Sequence, residues 1–260
     1  FGGSMRPRDV CLPLLLVSFF APLSAQVPKN NLDVQHPPSR SSVAASMDVK
    51  RDRCFRSVLE NDHVRVFKVD VPGLQSTSLD YHHHDYLVVS LGKSNFEVAG
   101  NGIRYPMQMD DGEMQVLKGG ASHRITNLSG NPLHLVEMEV IGEVHPERPI
   151  CGLGGHACTD GIFGRNEAGS YNQSTLFETD TVKLARVQLG ARGLLPEQRH
   201  DRCHILVSLA DTTLRESPVG SGSRELHLSP GDAQWYSGRV THTIENLDKR
   251  DVQFITVEFK

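Results

Sequence analysis

The stretch that decides the fold is Gly112–Asn127, GEMQVLKGGASHRITN, together with its echo Gly231–Asn246, GDAQWYSGRVTHTIEN. Each copy begins with glycine and ends with a histidine that is followed four residues later by asparagine. The match extends upstream at a spacing of about 118 residues, where Leu59–Val66 is echoed by Phe177–Leu184. A period this long exceeds that of solenoid repeats and indicates duplication of a whole domain.

Short runs rich in Val, Ile, Leu and Phe follow one another from Cys54 onward, and Gly, Pro, Asn and Asp separate them. Such runs are typical of short strands joined by turns, and helical periodicity is nearly absent. The pattern predicts an all-β barrel or sandwich for each copy. The predicted strands cover residues 63–71, 86–91, 114–117 and 133–140 in the first copy and 183–189, 204–209, 225–228, 233–236 and 252–259 in the second.

Residues 1–25 are predicted to comprise a few vector or upstream residues and a secretory signal peptide. Basic residues after Met5 precede an apolar run, Val10–Phe20, and Ala25 ends a stretch of small residues suited to cleavage. The run is shorter than the roughly 20 residues that a membrane-spanning helix needs. Residues 26–53 are polar and predict a flexible leader. We therefore expect a secreted or periplasmic protein without a membrane anchor.

Cleavage of the signal peptide would leave four cysteines in an oxidising compartment, which permits three pairings. Cys151 and Cys158 flank a glycine-rich loop and are predicted to close a small disulfide ring. The ring lies in residues 142–171, which are predicted to link the two domains. A zinc site there would want a fourth ligand that the sequence does not offer.

The charge and the motifs exclude several kinds of function. The chain has 27 Lys and Arg against 31 Asp and Glu, a net charge of −4, so nothing in it recruits nucleic acid or anionic lipid. It contains no Ser-His-Asp spacing, phosphate-binding loop or HExxH motif. Hydrolase and nucleotide-binding functions are therefore not supported.

His82 and His84 are spaced so that both would lie on the same face of a strand. The turn at Asp111-Gly112 would bring the chain back and place His123 beside them. Neutral imidazoles bind Fe, Mn, Cu, Ni or Zn, and three of them leave coordination positions open. The spacing therefore predicts a divalent transition metal held by His82, His84 and His123.

These residues resemble the cupin superfamily, and the two copies together resemble a bicupin. The second cupin motif is Gly, five residues, Pro-x-Gly, two residues, His, three residues, Asn. It is matched by Gly112, Gly120, His123 and Asn127, with Lys118 in place of proline. The second copy matches it again but lacks both the proline and the second glycine.

The resemblance covers residues 54–141 and 172–260 and implies a double-stranded β-helix, or small jelly roll, for each. It also implies a metal-dependent site that takes a small-molecule ligand or substrate. A three-histidine set would resemble the metal centres of some cupin dioxygenases. A homodimer is compatible with the resemblance.

The first cupin motif, His-x-His followed by glutamate, is incomplete, because no carboxylate stands four or five residues beyond His84. In an alternative register, Asp80 and His82 are ligands together with His123. Tyr86 then takes the glutamate position and is a candidate catalytic residue. A metal-free pocket is the third interpretation of these residues.

The second copy has Arg202 at the position of His84, and a guanidinium cannot bind a metal at ordinary pH. His200, His204 and His242 form an alternative set in this candidate pocket. We expect the second barrel to have kept the fold and lost its metal, with Arg202 available to an anionic group.

The sequence therefore favours a bicupin whose first barrel binds a metal and carries out dioxygenase-type oxidation of a small organic molecule. A bicupin that binds a small ligand without turning it over is the alternative. An isomerase or decarboxylase is less favoured, because such cupins usually keep the missing glutamate.

Overall fold

The computed structural model describes residues 47–100, 102–142, 144, 148–153 and 156–260. These residues form two β-barrels, each made of two sheets, and the only helix among them is the 3-10 turn Val49–Arg51. The all-β prediction is confirmed, and most predicted strands lie within one residue of those observed. The predicted signal peptide and most of the predicted leader lie outside the described residues.

The first barrel packs one five-stranded sheet, in the order β1-β4-β9-β6-β7, on another in the order β2-β3-β10-β5-β8. All pairs within it are antiparallel except β1 with β4. Its strands are β1 (Met47–Asp48), β2 (Phe55–Glu60), β3 (Val64–Val71), β4 (Asp80–His82), β5 (Tyr86–Ser90), β6 (Ser94–Gly100), β7 (Ile103–Met109), β8 (Met114–Leu117), β9 (Ala121–Asn127) and β10 (Leu133–Val140).

The second barrel has a six-stranded sheet, β11-β12-β13-β20-β15-β18, and a four-stranded sheet, β14-β19-β16-β17. Its strands are β11 (Gly161–Arg165), β12 (Ser170–Glu178), β13 (Val182–Leu189), β14 (Leu194–His200), β15 (His204–Ser208), β16 (Thr212–Pro218), β17 (Arg224–Leu228), β18 (Ala233–Tyr236), β19 (Val240–Asn246) and β20 (Val252–Phe259).

Two predicted boundaries differ from the observed ones. β1 and the buried Val49 belong to the first barrel although they lie in the predicted leader. The strand β11 and the start of β12 lie in the predicted linker and extend a sheet of the second barrel. Their short polar sequences carry too little apolar periodicity to be recognised as strands.

The barrels pack against each other through sheets that are buried on both faces. Along β5, Tyr86 and Val88 face the interior of the first barrel, whereas Leu87 and Val89 face the second barrel. The strands β3, β10, β13, β15 and β20 contribute to the same apolar layer between the barrels. A continuous run of buried residues such as β5 is the expected sequence of a strand covered on both sides.

Equivalent residues of the two copies secure this interface. Lys68 on β3 donates a 2.6 Å hydrogen bond to Asp232, and Arg186, at the matching position of β13, donates to the carbonyl of Gly112. The motif glycines Gly112 and Gly231 both have positive φ angles, +68° and +78°. The interface therefore has approximate twofold character, as in a symmetric dimer.

The asparagines that end the two motifs fix turns. Asn127 donates hydrogen bonds to the carbonyls of Val71 and Asn131, at 3.0 and 2.8 Å. Asn246 donates hydrogen bonds to the carbonyls of Gly190 and Arg250, at 2.9 and 2.8 Å. The amides thus satisfy buried carbonyl groups where regular pairing ends.

The connection between the barrels carries a disulfide between Cys151 and Cys158, the pairing that the sequence indicates. Cys54 is buried and Cys203 is partly buried, and both are free thiols. Among the residues that the structure describes, no helix has the length and apolar character to cross a membrane.

The tight approach at Gly231 gives a stability prediction. A Cβ atom there would lie 2.9 Å from both Lys68 Cε and Val136 Cγ2, in the interface between the barrels. We expect Gly231→Ala to lower the free energy of unfolding by about 2 to 4 kcal/mol, through positive-φ strain and overpacking.

The control is Gly220→Ala, because Gly220 has a similar φ of +81° but open space around it. It should cost only about 1 kcal/mol. Urea denaturation of both variants measures the difference, and equal losses would contradict a steric role for the interface.

Candidate metal centres in the two barrels

The interior of the first barrel collects ionisable side chains from three strands. His82 on β4, His123 on β9 and Glu137 on β10 are all buried, and their potential ligand atoms lie within 4.8 Å of one another. The strand β4 pairs with β9 so that Asp80 stands opposite His123, which places these strands side by side at the site.

Two carboxylates of β10 face the barrel interior, because successive side chains of a strand point to opposite faces. Leu133 and Leu135 belong to the interior core, so Glu137 and Glu139, two and four residues further on, face the same interior. Val136 on the opposite face packs in the interface between the barrels. Sequence reasoning missed both glutamates, although their position on the interior face of β10 was the available signal.

Two carboxylates lie beside the ring nitrogens of His82, and Glu139 is the one that makes a hydrogen bond to it. Its Nδ1 lies 2.9 Å from Glu139 Oε1, and its Nε2 lies 3.1 Å from Glu137 Oε2. Arg65 donates a 3.1 Å hydrogen bond to the other oxygen of Glu139. Burial acts to lower the pKa of His82, but the two carboxylates outweigh it and raise the pKa to about 9.

Burial has the largest effect on the pKa values of His123 and Tyr86. Burial lowers the pKa of His123 to about 4, so its imidazole is neutral at pH 7. The Tyr86 hydroxyl oxygen lies 3.4 Å from both ring nitrogens of His123. Burial, reinforced by the negative charges of Glu137 and Glu139, raises the pKa of Tyr86 well above its ordinary value. Its phenol therefore stays protonated and can donate a hydrogen bond.

The structure does not bring His84 to this cluster. Strand β4 ends at His82, and the chain bends at His83 and His84 to pass from one sheet to the other. A Cβ atom on Gly119 would lie 2.3 Å from the carbonyl group of His84, so the bend packs closely on that glycine. The premise that His82 and His84 share a strand face is therefore wrong.

The alternative register describes the geometry better. Asp80, His82, Tyr86 and His123 all point into the barrel and are buried. Asp80 lies outside the group whose ligand atoms converge, and burial together with the charge of Asp52 raises its pKa to about 7. The carboxylate that joins the two histidines is Glu137.

A pocket of about 550 Å³ opens outward from His123 and Tyr86. Val98, Ile103, Tyr105 and other apolar side chains line most of it. A volume of this size is typical of sites that bind small organic molecules.

The second barrel brings together three histidines, His200, His204 and His242, with ligand atoms within 4.8 Å. Burial, with smaller effects of the neighbouring histidines, lowers the pKa of His200 to about 4 and that of His204 to about 3. These two imidazoles are therefore neutral at pH 7, the form that binds metals. Arg202 is exposed at a bend and takes no part in the group.

Glu216 orients the third histidine. Its Oε1 lies 2.7 Å from His242 Nδ1, and Arg224 donates a 2.6 Å hydrogen bond to its other oxygen. A carboxylate bound to one ring nitrogen leaves the other nitrogen for a metal. Glu139 does the same for His82 in the first barrel, but it reaches the site from a different strand.

The cavity at the three histidines is only about 10 Å³. That is about the space of one water-sized sphere. The second barrel therefore has room for a single ion at its histidines and none for an organic substrate.

Both donor sets consist of atom types that bind divalent transition metals. Ligand atoms held about 2.1 Å from a metal at right angles are about 3.0 Å apart, close to the 3.1 Å between His82 Nε2 and Glu137 Oε2. Nδ1 of His200 and Nδ1 of His204 are buried without hydrogen-bond partners. Two histidines and a carboxylate, or three histidines, leave coordination positions open.

No sequence-family profile and no curated protein matches the chain. Solved structures match its fold. The cupin 2 conserved barrel domain protein from Leptotrichia buccalis aligns with a TM-score of 0.50 at 9% identity, over 88% of this chain and 98% of its own. The fold is that of a bicupin.

Two further structures resemble this chain. AerE from Microcystis aeruginosa has a TM-score of 0.52 at 12% identity, over 79% of this chain and 97% of AerE. A salicylate 1,2-dioxygenase from Pseudaminobacter salicylatoxidans has a TM-score of 0.51 at 11% identity, over 79% of this chain and 77% of the dioxygenase. At these identities the likeness establishes the fold alone.

The buried charge network of the first barrel gives a second stability prediction. Removing Glu139 would leave His82 with Glu137 alone and Arg65 with Glu60 alone. We expect Glu139→Ala to destabilise the metal-free protein by about 2 to 3 kcal/mol, because hydrogen bonds to buried charged groups are lost.

The control is Glu245→Ala, which removes a partly exposed partner of Arg215 at 3.0 Å. It should cost less than about 1 kcal/mol. Urea denaturation after treatment with chelator measures both, and similar effects would rule out a buried network at Glu139.

Proposed function

We propose that this bicupin binds a divalent transition metal in its first barrel and oxidises a small organic molecule there, in a dioxygenase-type reaction. The observation that supports this most is the convergence of His82, His123 and Glu137, because His123 also lines a pocket of about 550 Å³. Two histidines and one carboxylate are the donor set typical of non-haem iron oxygenases.

When bound, such a metal would supply open positions for substrate and oxygen. The chain's own residues would prepare the site. Glu139 holds the ring of His82 in one orientation through Nδ1. Tyr86 keeps its proton and can donate a hydrogen bond to a substrate oxygen at the pocket floor. The apolar walls would exclude water from the reacting groups.

The second barrel is proposed to hold a metal ion without turnover. Its three histidines are suited to an ion, whereas the cavity of about 10 Å³ has no space for a substrate. This proposal replaces the expectation that the second copy has lost its metal.

A second candidate function is binding of a small ligand without catalysis. The observation that favours it is the ion-pair network around His82, in which Glu137, Glu139 and Arg65 already provide partners. Such a network can stabilise the site without a metal, and the pocket beside it would still accept a ligand.

The two functions differ in metal content and oxygen consumption. We expect protein loaded anaerobically with Fe(II) or Mn(II) to hold about two equivalents per chain. Glu137→Gln should lose about one equivalent and lower metal-dependent oxygen uptake, tested on a panel of phenols and small organic acids, by at least about 100-fold. Elemental analysis and an oxygen electrode measure the two quantities.

His84→Ala is the matched control, because His84 lies outside the cluster and should leave both readouts unchanged. His204→Phe should remove the other equivalent and leave oxygen uptake intact. Less than about a tenth of an equivalent in the loaded wild type would contradict the metal proposal. Ligand binding that survives chelation, without oxygen uptake, would favour the binding function.

We also propose that the protein is secreted or periplasmic. The disulfide between Cys151 and Cys158 suits an oxidising compartment. Mass spectrometry of the protein secreted by its native cells should find a mature chain that begins at Gln26. Detection of an intact Val10–Phe20 segment in that protein would contradict cleavage after Ala25.

A further inference from the structure

The two barrels differ most in how their interiors meet the surface. The first barrel has a pocket of about 550 Å³ beside its histidines, and the second has a cavity of about 10 Å³. Because the copies share one fold, side chains at equivalent positions must account for the difference.

The pairing registers identify two of these positions. Val98 on β6 stands opposite Tyr105 on β7, and at the matching place in the second barrel Glu216 stands opposite Arg224. Arg224 binds Glu216 at 2.6 Å and its guanidinium carbon lies 5.8 Å from the centre of the Tyr236 ring. This arrangement closes the second barrel. In the first barrel Val98 and Tyr105 form no such bridge, and the interior stays open.

A third pair of equivalent positions also makes the interior of the second barrel smaller than that of the first. Tyr86 pairs with Leu117 in the first barrel, where His204 pairs with Tyr236 in the second. The ring of Tyr236 stacks on that of His204 with centroids 4.3 Å apart and fills the space. The smaller Leu117 forms part of the pocket wall instead.

The mouth of the open pocket is apolar. Ile103 and Tyr105 on β7 are 52% and 55% exposed, although both are large apolar side chains that line the pocket. β7 is at the edge of its sheet, so both side chains can cover the body of a bound molecule. Exposed apolar groups that continue into a cavity are typical of ligand-binding sites.

The pocket is lined by one charged side chain, Lys118, which lies at its rim. Lys118 at the rim pairs with Asp85 at 3.1 Å, and its side chain is 63% exposed. Glu137 and Glu139 are buried behind the wall and paired with His82. A charged ligand entering the pocket would lose its hydration, and the cation at the rim is already paired with Asp85.

We propose that the first-barrel pocket binds an uncharged, largely apolar small molecule that presents one hydrogen-bonding group to Tyr86 and His123, with Val98 and Tyr105 as the specificity-determining positions. This inference names the class of molecule that the proposed site binds. It rests on the proposed function only for the statement that the bound molecule is oxidised. The binding itself requires only the pocket.

The test compares three probes of similar size at pH 7, 4-ethylphenol, 4-ethylbenzoate and 4-ethylbenzylamine. Calorimetry is carried out on metal-loaded protein and on protein stripped with chelator. We expect the neutral phenol to bind at least about tenfold tighter than either ion in both forms. Equal or tighter binding of an ion, or no binding of the phenol, would overturn the proposal.

Variants locate the site. Tyr105→Ser, at an exposed position, should weaken phenol binding at least about fivefold through lost apolar contact. The double variant Val98→Glu with Tyr105→Arg introduces the pair found in the second barrel and should abolish binding. Arg104→Ala is the control, because Arg104 is exposed on the same strand, pairs with Glu97 and does not line the pocket. Unchanged binding in Tyr105→Ser would overturn the assignment.

The same measurements separate this inference from the proposed function. Phenol binding without metal-dependent oxygen uptake would leave the inference standing and remove the oxidation. Oxygen uptake on an anionic substrate, without phenol binding, would do the reverse. A dimer in sedimentation that dissociates in Tyr105→Ser, again without phenol binding, would show that a second copy covers this face, and would overturn the inference.

Discussion

The packing of sheet on sheet between the barrels is the constraint on which the rest of the structure depends. It covers the outer faces of β3, β5 and β10 with the matching strands of the second barrel. Most side chains on these strands therefore enter either an apolar interface or a barrel interior, away from water. Polar residues on them need buried partners, and those partners make up the sites.

Strand β10 illustrates the effect. Its glutamates alternate with Val136, Met138 and Val140, a pattern that ordinarily predicts a strand with one wet face. Here the apolar face is taken by the interface, and Glu137 and Glu139 turn inward to His82 and Arg65. The pattern is local, whereas the burial that changes its meaning comes from the second barrel. The alternation places both glutamates on one face of β10, but it does not show that this face is buried.

Other parts of the architecture were accessible from the sequence. The duplicated motif predicted two cupin barrels, and the turn-fixing role of Asn127 and Asn246 follows from it. The site was predicted less well. Its histidines lie near strand ends, and the direction of each side chain depends on where its strand begins or ends. His84 lies in the bend that follows β4, so the alternation of side chains along a strand does not apply to it. His204 begins β15 and does point inward, so the complete three-histidine set lies in the barrel expected to have lost its ligands.

The matched contacts of Lys68 and Arg186 across the interface have a consequence for how the halves associate. Each barrel presents to the other the surface that a symmetric dimer would present to its twin. Because one chain carries both, their encounter is intramolecular, and the effective concentration, of millimolar order for a short linker, does not fall on dilution. Because the two barrels are tethered, their sequences need not stay identical. The first barrel can keep an open pocket while the second barrel is closed, and every chain still contains one barrel of each kind.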